Sequence, residues 1–140
     1  MKPKLSDIYW PLRLTYGLVP LLAGLDKYAG ILANWERYLS PTAASILPVT
    51  VATFLHIIGV VEIVVGLAVL FGWTRLGALI AMASLVAISL NLLVGGYLDI
   101  AVRDLVMAVG AYTLSRVAAE RCEEFVPSFA RSGARRLAHG

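Results

Sequence analysis

The stretch VTVATFLHIIGVVEIVVGLAVLFGW, residues 49–73, decides the fold of this chain. A helix that crosses a lipid bilayer needs roughly 20 mostly apolar residues. Residues 49–73 exceed that length and contain only two ionisable side chains, His56 and Glu62. The stretch therefore predicts a transmembrane helix that carries a buried carboxylate.

The composition of the whole chain agrees with this prediction. The 140 residues are 59% hydrophobic and 15% charged, with a mean hydropathy of +0.80. Soluble domains usually have about 25% charged residues. Such an apolar excess favours a bilayer over water as the surrounding solvent.

Three more apolar segments predict three further spans, at about 8–28, 76–98 and 100–119. The first could also be a cleaved signal peptide, but Arg13 interrupts its apolar run and Asp26 and Lys27 follow it without a small-residue cleavage site. Short links join the second, third and fourth spans, which makes them antiparallel neighbours. We predict an all-α, integral membrane four-helix bundle over residues 1–119, with an interfacial segment at 29–48 and a tail at 120–140.

The Lys and Arg residues near the ends of the predicted spans indicate the orientation. Eight lie on the side of the termini and three on the other side. Since positive charge accumulates on the cytoplasmic side, both termini and the tail are expected to be cytoplasmic. The larger set is Lys2, Lys4, Arg75, Arg116, Arg121, Arg131, Arg135 and Arg136, and the smaller set is Lys27, Arg37 and Arg103.

Several classes of function find no support in the sequence. The net charge of +3 comes from scattered basic residues, and no motif for reading bases or phosphates is present. The lone Cys122 rules out an intramolecular disulfide and a CxxC redox pair. His56 and His139 are the only histidines, so the sequence offers neither a bis-histidine haem site in the bundle nor a zinc ligand set.

Polar residues inside the predicted spans need a physical reason. A charge near the bilayer centre costs at least about 2.5–3.5 kcal/mol. At helical spacing, Arg13, Gly17, Gly24 and Lys27 lie on one stripe of the first span, with Tyr16 at its edge. Glu62 falls near the middle of the second span. We predict that Arg13 and Glu62 approach each other, directly or through water.

A second group of polar residues lies in the outer half of the predicted bundle. We predict that it forms a polar cavity for a ligand head group, in which Glu62 or His56 takes up and releases protons. A perturbed carboxylate in such a site is a reasonable proton acceptor. The candidate ligand-binding residues are Arg13, Tyr16, Lys27, Glu62, Asn91, Asp99, Arg103 and Asp104.

Simpler interpretations exist for most of these residues. Arg13 and Lys27 lie near helix ends and could extend to the interface. Asp99 is a good N-cap residue, so the turn before the last span could be an ordinary solvated turn. His56 could be a hydrogen-bonded core residue. Glu62 has no comparable route to water, which favours a functional or paired carboxylate.

Three segments resemble the DoxX family of small bacterial membrane proteins with four helices. They are LRLTYGLVPLLAGLDKYAG (12–30), GVVEIVVGLAVLFG (59–72) and YLDIAVRD (97–104). The resemblance extends over about 13–115 and leaves the tail outside. It implies a place in the bacterial inner membrane beside respiratory or redox-defence enzymes, since some members are membrane subunits of thiosulfate:quinone oxidoreductase. The positions that match are Arg13, Gly24, Lys27, Glu62, Asp99, Arg103 and Asp104.

Two hypotheses follow. In the first, the protein is a membrane subunit that binds quinone or lipid and supports a partner oxidoreductase. In the second, it is a non-catalytic anchoring or assembly subunit whose buried charges serve helix packing only. Family members with a cysteine pair could do thiol chemistry, and this chain has none in the bundle. An accessory subunit is therefore expected rather than an independent enzyme, and homo-oligomerisation stays open.

Overall fold

A computed structural model describes residues 4–121, and within that range the chain is helical without any β-strand. The prediction of an all-α fold is confirmed at this level. The elements are α1 (Leu5–Ala29), a 3-10 turn (Trp35–Tyr38), α2 (Pro41–Ile46), α3 (Val51–Leu70), α4 (Thr74–Val94) and α5 (Leu98–Glu120). The predicted tail lies almost wholly outside the described residues.

Local signals set the ends of the long helices. The Thr50 side chain accepts a hydrogen bond from the backbone N–H of Thr53 and caps the start of α3. The turn after α3 contains Gly72 with φ 114°, and the turn after α4 contains Gly96 with φ 83°. Such left-handed conformations favour glycine. The predicted spans 49–73 and 76–98 therefore included turn residues, and α4 begins and ends earlier than predicted.

The first and third helices pack against each other with their backbones nearly in contact. A Cβ atom on Gly24 would lie 2.5 Å from the Gly59 carbonyl oxygen, and one on Gly66 would lie 2.5 Å from the Gly17 carbonyl oxygen. Small residues at such positions allow helices to approach closely. These two contacts fix α1 and α3 as antiparallel neighbours in a single register.

The fourth and fifth helices form the other close pair, as their short connection predicted. Ser89 on α4 donates a hydrogen bond of 2.7 Å to the Ala101 carbonyl on α5. The buried face of α5 is made mostly of small residues, spaced alternately by three and four positions. These are Ala101, Asp104, Ala108, Ala111, Ser115 and Ala118, and the larger Leu114 is buried beside them.

The bundle has two distinct ends. We call the end with Leu5, Leu70, Thr74 and Glu120 the terminal end, and the end with Ala29, Val51, Val94 and Leu98 the loop end. At the terminal end the Arg121 guanidinium lies 4.2 Å from the centroid of the Tyr9 ring. The beginning and the end of the described chain therefore meet at the same end of the bundle.

The connection between α1 and α3 lies across the loop end. Its 3-10 turn and α2 are anchored to α4 by Asn91, whose side chain accepts a hydrogen bond from the Ser40 N–H and donates one to the Tyr38 carbonyl. Tyr97 donates a further hydrogen bond to the Arg37 carbonyl at 3.2 Å. The connection thus contacts both pairs of helices.

Among the helices of residues 4–121, two, α3 and α4, are long and apolar enough to cross a membrane. Only 22% and 28% of the most apolar window of each is buried within the chain. A core helix of a soluble protein would be mostly buried. The described helices α1 and α5 carry more charged residues, although each also exposes large apolar side chains such as Leu22 and Val106.

Candidate functional site

The most buried ion pair of the described chain lies between α1 and α3. Lys27 Nζ is 2.6 Å from Glu62 Oε2, and the two side chains are only 4% and 13% exposed. Lys27 therefore does not extend to the surface as a free cation. Glu62 is paired, which is one of the two interpretations that the sequence favoured, a functional or a paired carboxylate.

The predicted approach of Arg13 to Glu62 is wrong. Arg13 instead donates hydrogen bonds to the carbonyl oxygens of Val69, at 3.0 Å, and Leu70, at 2.7 Å. It also donates one to the Tyr9 hydroxyl at 3.0 Å. The last carbonyls of a helix have no partner within it and carry partial negative charge, so Arg13 caps the end of α3.

The register of α1 and α3 explains why Lys27, rather than Arg13, reaches Glu62. Because Gly24 lies opposite Gly59, Lys27 is close to the level of His56, on the loop side of Glu62. Side chains on a helix lean towards its N-terminus. In this antiparallel pair Lys27 and Glu62 lean towards each other, whereas Arg13 leans away, towards Tyr9.

A tryptophan from the connecting segment covers the ion pair. Lys27 Nζ lies 3.9 Å from the centroid of the Trp35 ring, within the range of a cation–π interaction. The Trp35 indole N–H donates a hydrogen bond of 2.8 Å to Asp26 Oδ2. Lys27 thus contacts the face of the Trp35 ring, and Asp26 binds its N–H edge.

Asp26 organises this segment. Its Oδ1 accepts hydrogen bonds from the backbone N–H groups of Ile31 and Leu32, at 2.8 and 2.9 Å. Its Oδ2 accepts one from Ala33 at 3.2 Å, besides the bond from Trp35. Four donors on one buried carboxylate fix the path of the chain as it leaves α1 and bring Trp35 over Lys27.

His56 lies beside these residues and is exposed rather than part of the core. Its ring is stacked on that of Tyr28, with 4.6 Å between the centroids and 5° between the planes. The Tyr28 hydroxyl donates a hydrogen bond to the His56 carbonyl at 2.8 Å. The imidazole is therefore held at the surface of the loop end.

A cleft of about 290 Å³ opens between the connecting segment and α3. We call it the loop-end cleft. Its lining combines hydrogen-bonding groups with the aromatic rings of Trp35 and His56, and it includes Lys27, which is neutralised by Glu62. Its lining residues are Lys27, Gly30, Ala33, Asn34, Trp35, Glu36, Ala52, Leu55 and His56.

Three predicted site residues lie elsewhere. Tyr16 on α1 donates a hydrogen bond of 2.7 Å to the Met107 carbonyl on α5. Asn91 uses its side-chain amide to anchor the connecting segment. Asp99 is exposed in the first turn of α5, whose N-cap is Tyr97 rather than Asp99. None of the three lines the loop-end cleft.

The remaining two predicted residues pair with each other. Arg103 is spaced for an interaction with Asp99, yet its guanidinium is 3.2 Å from Oδ1 of Asp104. Asp104 is buried while the Arg103 side chain is 66% exposed. Of the residues predicted for one outer cavity, Lys27 and His56 share the loop-end cleft, whereas those of α4 and α5 do not line it.

Three residues that build the site were not among the predicted ones: Asp26, Tyr28 and Trp35. One signal in the sequence indicates Asp26. An acidic residue in the last turn of a helix opposes the helix dipole, so its presence there suggests that the carboxylate accepts hydrogen bonds from the segment that follows. Across residues 4–121 no group of three His, Cys, Asp or Glu side chains could hold a metal ion.

Comparison with known proteins adds no further constraint. No protein-family model, curated sequence or solved structure matches the chain. The assignment of function therefore depends on the geometry described above and on the three segments that resemble the DoxX family.

Proposed function

We propose that the protein is a multi-pass subunit of a bacterial inner membrane. In this proposal it binds the polar head of a quinone or lipid in the loop-end cleft and supports a partner redox enzyme. The observation that carries the proposal is the cleft itself, which lies next to a buried ion pair at one end of a bundle with an apolar exterior.

The apolar exterior supports the membrane location. Each long helix exposes large apolar side chains along the face that points away from the bundle, while its charged groups lie inside or towards its ends. Without water outside, helices associate through small residues and internal polar contacts. Examples of the exposed side chains are Leu14, Leu18, Leu22, Ile57, Val60, Val64, Val86, Leu90, Val102, Val106 and Val109.

Helix length supports four spans rather than two. At 1.5 Å per residue, α1 with its 25 residues and α5 with its 23 extend for about 37 and 34 Å. The hydrocarbon core is about 30 Å thick. Charges that lower the hydropathy of α1 and α5 lie near the helix ends or in contact with other groups, as Arg13 and Lys27 do.

Labelling of single cysteines tests the location and orientation. In a Cys122→Ser background, Asn34→Cys places a thiol at the loop end and Glu120→Cys places one at the terminal end; both positions are exposed. A membrane-impermeant maleimide should label Asn34→Cys in intact cells and Glu120→Cys only after permeabilisation. The reverse pattern would overturn the orientation, and recovery in the soluble fraction would overturn the membrane location.

The chemistry of the cleft supports a bound polar head. Pockets for small molecules combine apolar and aromatic walls with a few placed polar groups. The lining of the cleft includes the aromatic rings of Trp35 and His56 and the polar groups of Asn34 and Glu36. A ligand with its head group in the cleft would place its apolar chain along the exposed apolar side chains of the bundle. The redox partner is supported only by the resemblance to DoxX proteins.

Solvent extraction of purified protein tests ligand binding. Protein isolated in mild detergent should release a quinone or lipid in near-stoichiometric amount, detected by mass spectrometry. His56→Leu should reduce that amount, whereas Tyr112→Leu, an exposed aromatic residue on α5, should not. Equal amounts of any lipid in both variants would contradict a specific site in the cleft.

The alternative function, an anchoring or assembly subunit, is favoured by a different observation. No buried side-chain nitrogen or oxygen among the described residues lacks a hydrogen-bond partner, so the inner polar groups already stabilise the bundle. Glu62→Gln separates the two functions. Lower partner activity at normal abundance supports the ligand-binding subunit, whereas loss of the protein itself supports the structural role.

A further inference from the structure

We infer that the loop-end cleft selects an uncharged head group and excludes anionic ones. This inference rests on the proposed ligand-binding function and specifies its substrate class. A cleft with a lysine in its wall would ordinarily suggest an anion such as a lipid phosphate. The surroundings of Lys27 point to the opposite preference.

The positive charge of Lys27 is already matched. Its ammonium nitrogen is 2.6 Å from Glu62 Oε2 and 3.9 Å from the centre of the Trp35 ring. The side chain is only 4% exposed. An anion in the cleft would therefore meet a neutral pair rather than a free cation.

The other charged groups at the cleft are acidic. Glu36 lines it, and Asp26 lies directly behind Trp35, bonded to the indole N–H. The charged residues that line the cleft are Lys27 and Glu36. Glu62 already neutralises Lys27, so Glu36 is the uncompensated charge on the cleft wall. Arg37 follows Glu36 in the chain but does not line the cleft. Charges within several ångströms interact strongly where water is partly excluded.

The cleft still offers hydrogen bonds to a neutral ligand. The amide of Asn34 and the imidazole of His56 provide donors and acceptors, and the carboxylate of Glu36 accepts. These groups suit the carbonyl or hydroxyl oxygens of a quinone, a quinol or a diacylglycerol. A cationic head group would be attracted by the acidic charge of the cleft. However, Lys27 already occupies one face of the Trp35 ring, so that face cannot bind a second cation.

Trp35 supplies the means to test this. The chain has three tryptophans, of which Trp10 and Trp73 lie at the terminal end, so Trp10→Phe with Trp73→Phe leaves Trp35 as the sole indole. In detergent, duroquinone should quench its emission saturably. Dioctanoylglycerol should relieve that quenching by competition, while dioctanoylphosphatidylglycerol, with the same acyl chains and an anionic head, should compete at least about tenfold more weakly, equivalent to about 1.4 kcal/mol.

A charge reversal sharpens the test. Glu36→Lys should make phosphatidylglycerol about tenfold more effective or better, since it removes one carboxylate and adds a cation. Glu120→Lys, the same change at an exposed site of the terminal end, should leave the competition unaltered.

The outcomes separate the inference from the function on which it rests. Competition by phosphatidylglycerol as strong as that of dioctanoylglycerol in the unaltered cleft would overturn the selectivity and leave ligand binding intact. Stronger competition by dodecyltrimethylammonium than by dioctanoylglycerol would overturn it in favour of a cation. If neither duroquinone nor the lipids perturb Trp35, both the selectivity and the proposed function fail.

Discussion

Two cations on the same face of α1 have different partners. At the terminal end Arg13 donates to backbone carbonyls of α3 and to the Tyr9 hydroxyl. At the loop end Lys27 binds the carboxylate of Glu62 and lies against the Trp35 ring. Both cations stabilise the contact between α1 and α3, but only one of them does so through a group that can change its charge.

The difference teaches where chemistry can occur in the bundle. Backbone carbonyls take up no proton in the course of a reaction, so the arrangement around Arg13 is a fixed cap on α3. A carboxylate can bind or release a proton and can exchange one hydrogen-bond partner for another. Because the Lys27–Glu62 pair also adjoins a cleft, the loop end is the end at which we place ligand binding.

The largest effect on stability is expected from removing one partner of the Lys27–Glu62 ion pair at the loop end. Lys27→Met would leave Glu62 as a buried carboxylate without its counter-ion. Removing one partner of a buried ion pair usually costs about 3–5 kcal/mol. We expect a loss of this order in the free energy of unfolding, measured by circular dichroism during denaturation in mixed detergent micelles.

A double variant provides the control for this loss. Lys27→Met combined with Glu62→Leu removes both charges and should recover most of the stability, because an apolar pair of similar volume often replaces a buried ion pair without penalty. Unchanged stability of Lys27→Met alone would contradict this prediction, since the ion pair would then contribute nothing to the free energy of unfolding.

A smaller effect is expected at the terminal end. Arg13→Met removes the donors to the Val69 and Leu70 carbonyls. Hydrogen bonds that involve a charged group contribute about 1.5–3 kcal/mol, and we expect a total loss near 2–3 kcal/mol because water near the helix end replaces part of the interaction. Quenching of Trp35 by duroquinone should keep its midpoint in this variant. A shifted midpoint would show that the two ends are not independent.

The next effect concerns the residue that positions Trp35. Asp26→Asn leaves a single acceptor oxygen for four donors, so we expect a loss of about 1–2 kcal/mol in stability. Trp35 emission should move to longer wavelength as the indole becomes more exposed, and duroquinone should bind more weakly. Asp99→Asn changes an exposed residue in the same way and should alter none of these quantities.

The smallest effect is expected for a third cation that belongs to neither site. Arg103 pairs with Asp104, but its side chain is 66% exposed. Exposed ion pairs contribute about 0–1 kcal/mol, so Arg103→Gln should change the unfolding free energy by less than about 1 kcal/mol. A loss as large as that of Lys27→Met would mean that the outward face of α5 is covered in the assembled protein.

The sequence predicted the helices better than it predicted their partners. Hydropathy located all four long helices, and the stripe with Gly17 and Gly24 lies on the face of α1 that packs inside. The same pattern could not tell which cation meets Glu62. That choice depends on the register of α1 against α3, which the Gly24–Gly59 contact sets. The position of each residue along its own helix does not reveal this register.

The candidate site was predicted only in part for a related reason. Lys27, Glu62 and His56 lie on long helices, so their positions follow from helix geometry. Trp35 comes from the connection between α1 and α3, and its place depends on four hydrogen bonds to Asp26. Such local turns leave no periodic signal in a sequence. The predicted spans gave no way to see that this connection, rather than α4 and α5, completes the cleft.

The pairing of Lys27 with Glu62 also has a consequence for biogenesis. In the membrane that we propose, α1 leaves the ribosome before α3, so Lys27 is made well before its counter-ion. A lone ammonium is unfavourable in hydrocarbon, whereas the finished pair has no net charge. We therefore expect α1 to wait at the translocon or the interface and to enter the bilayer together with α3, as one hairpin.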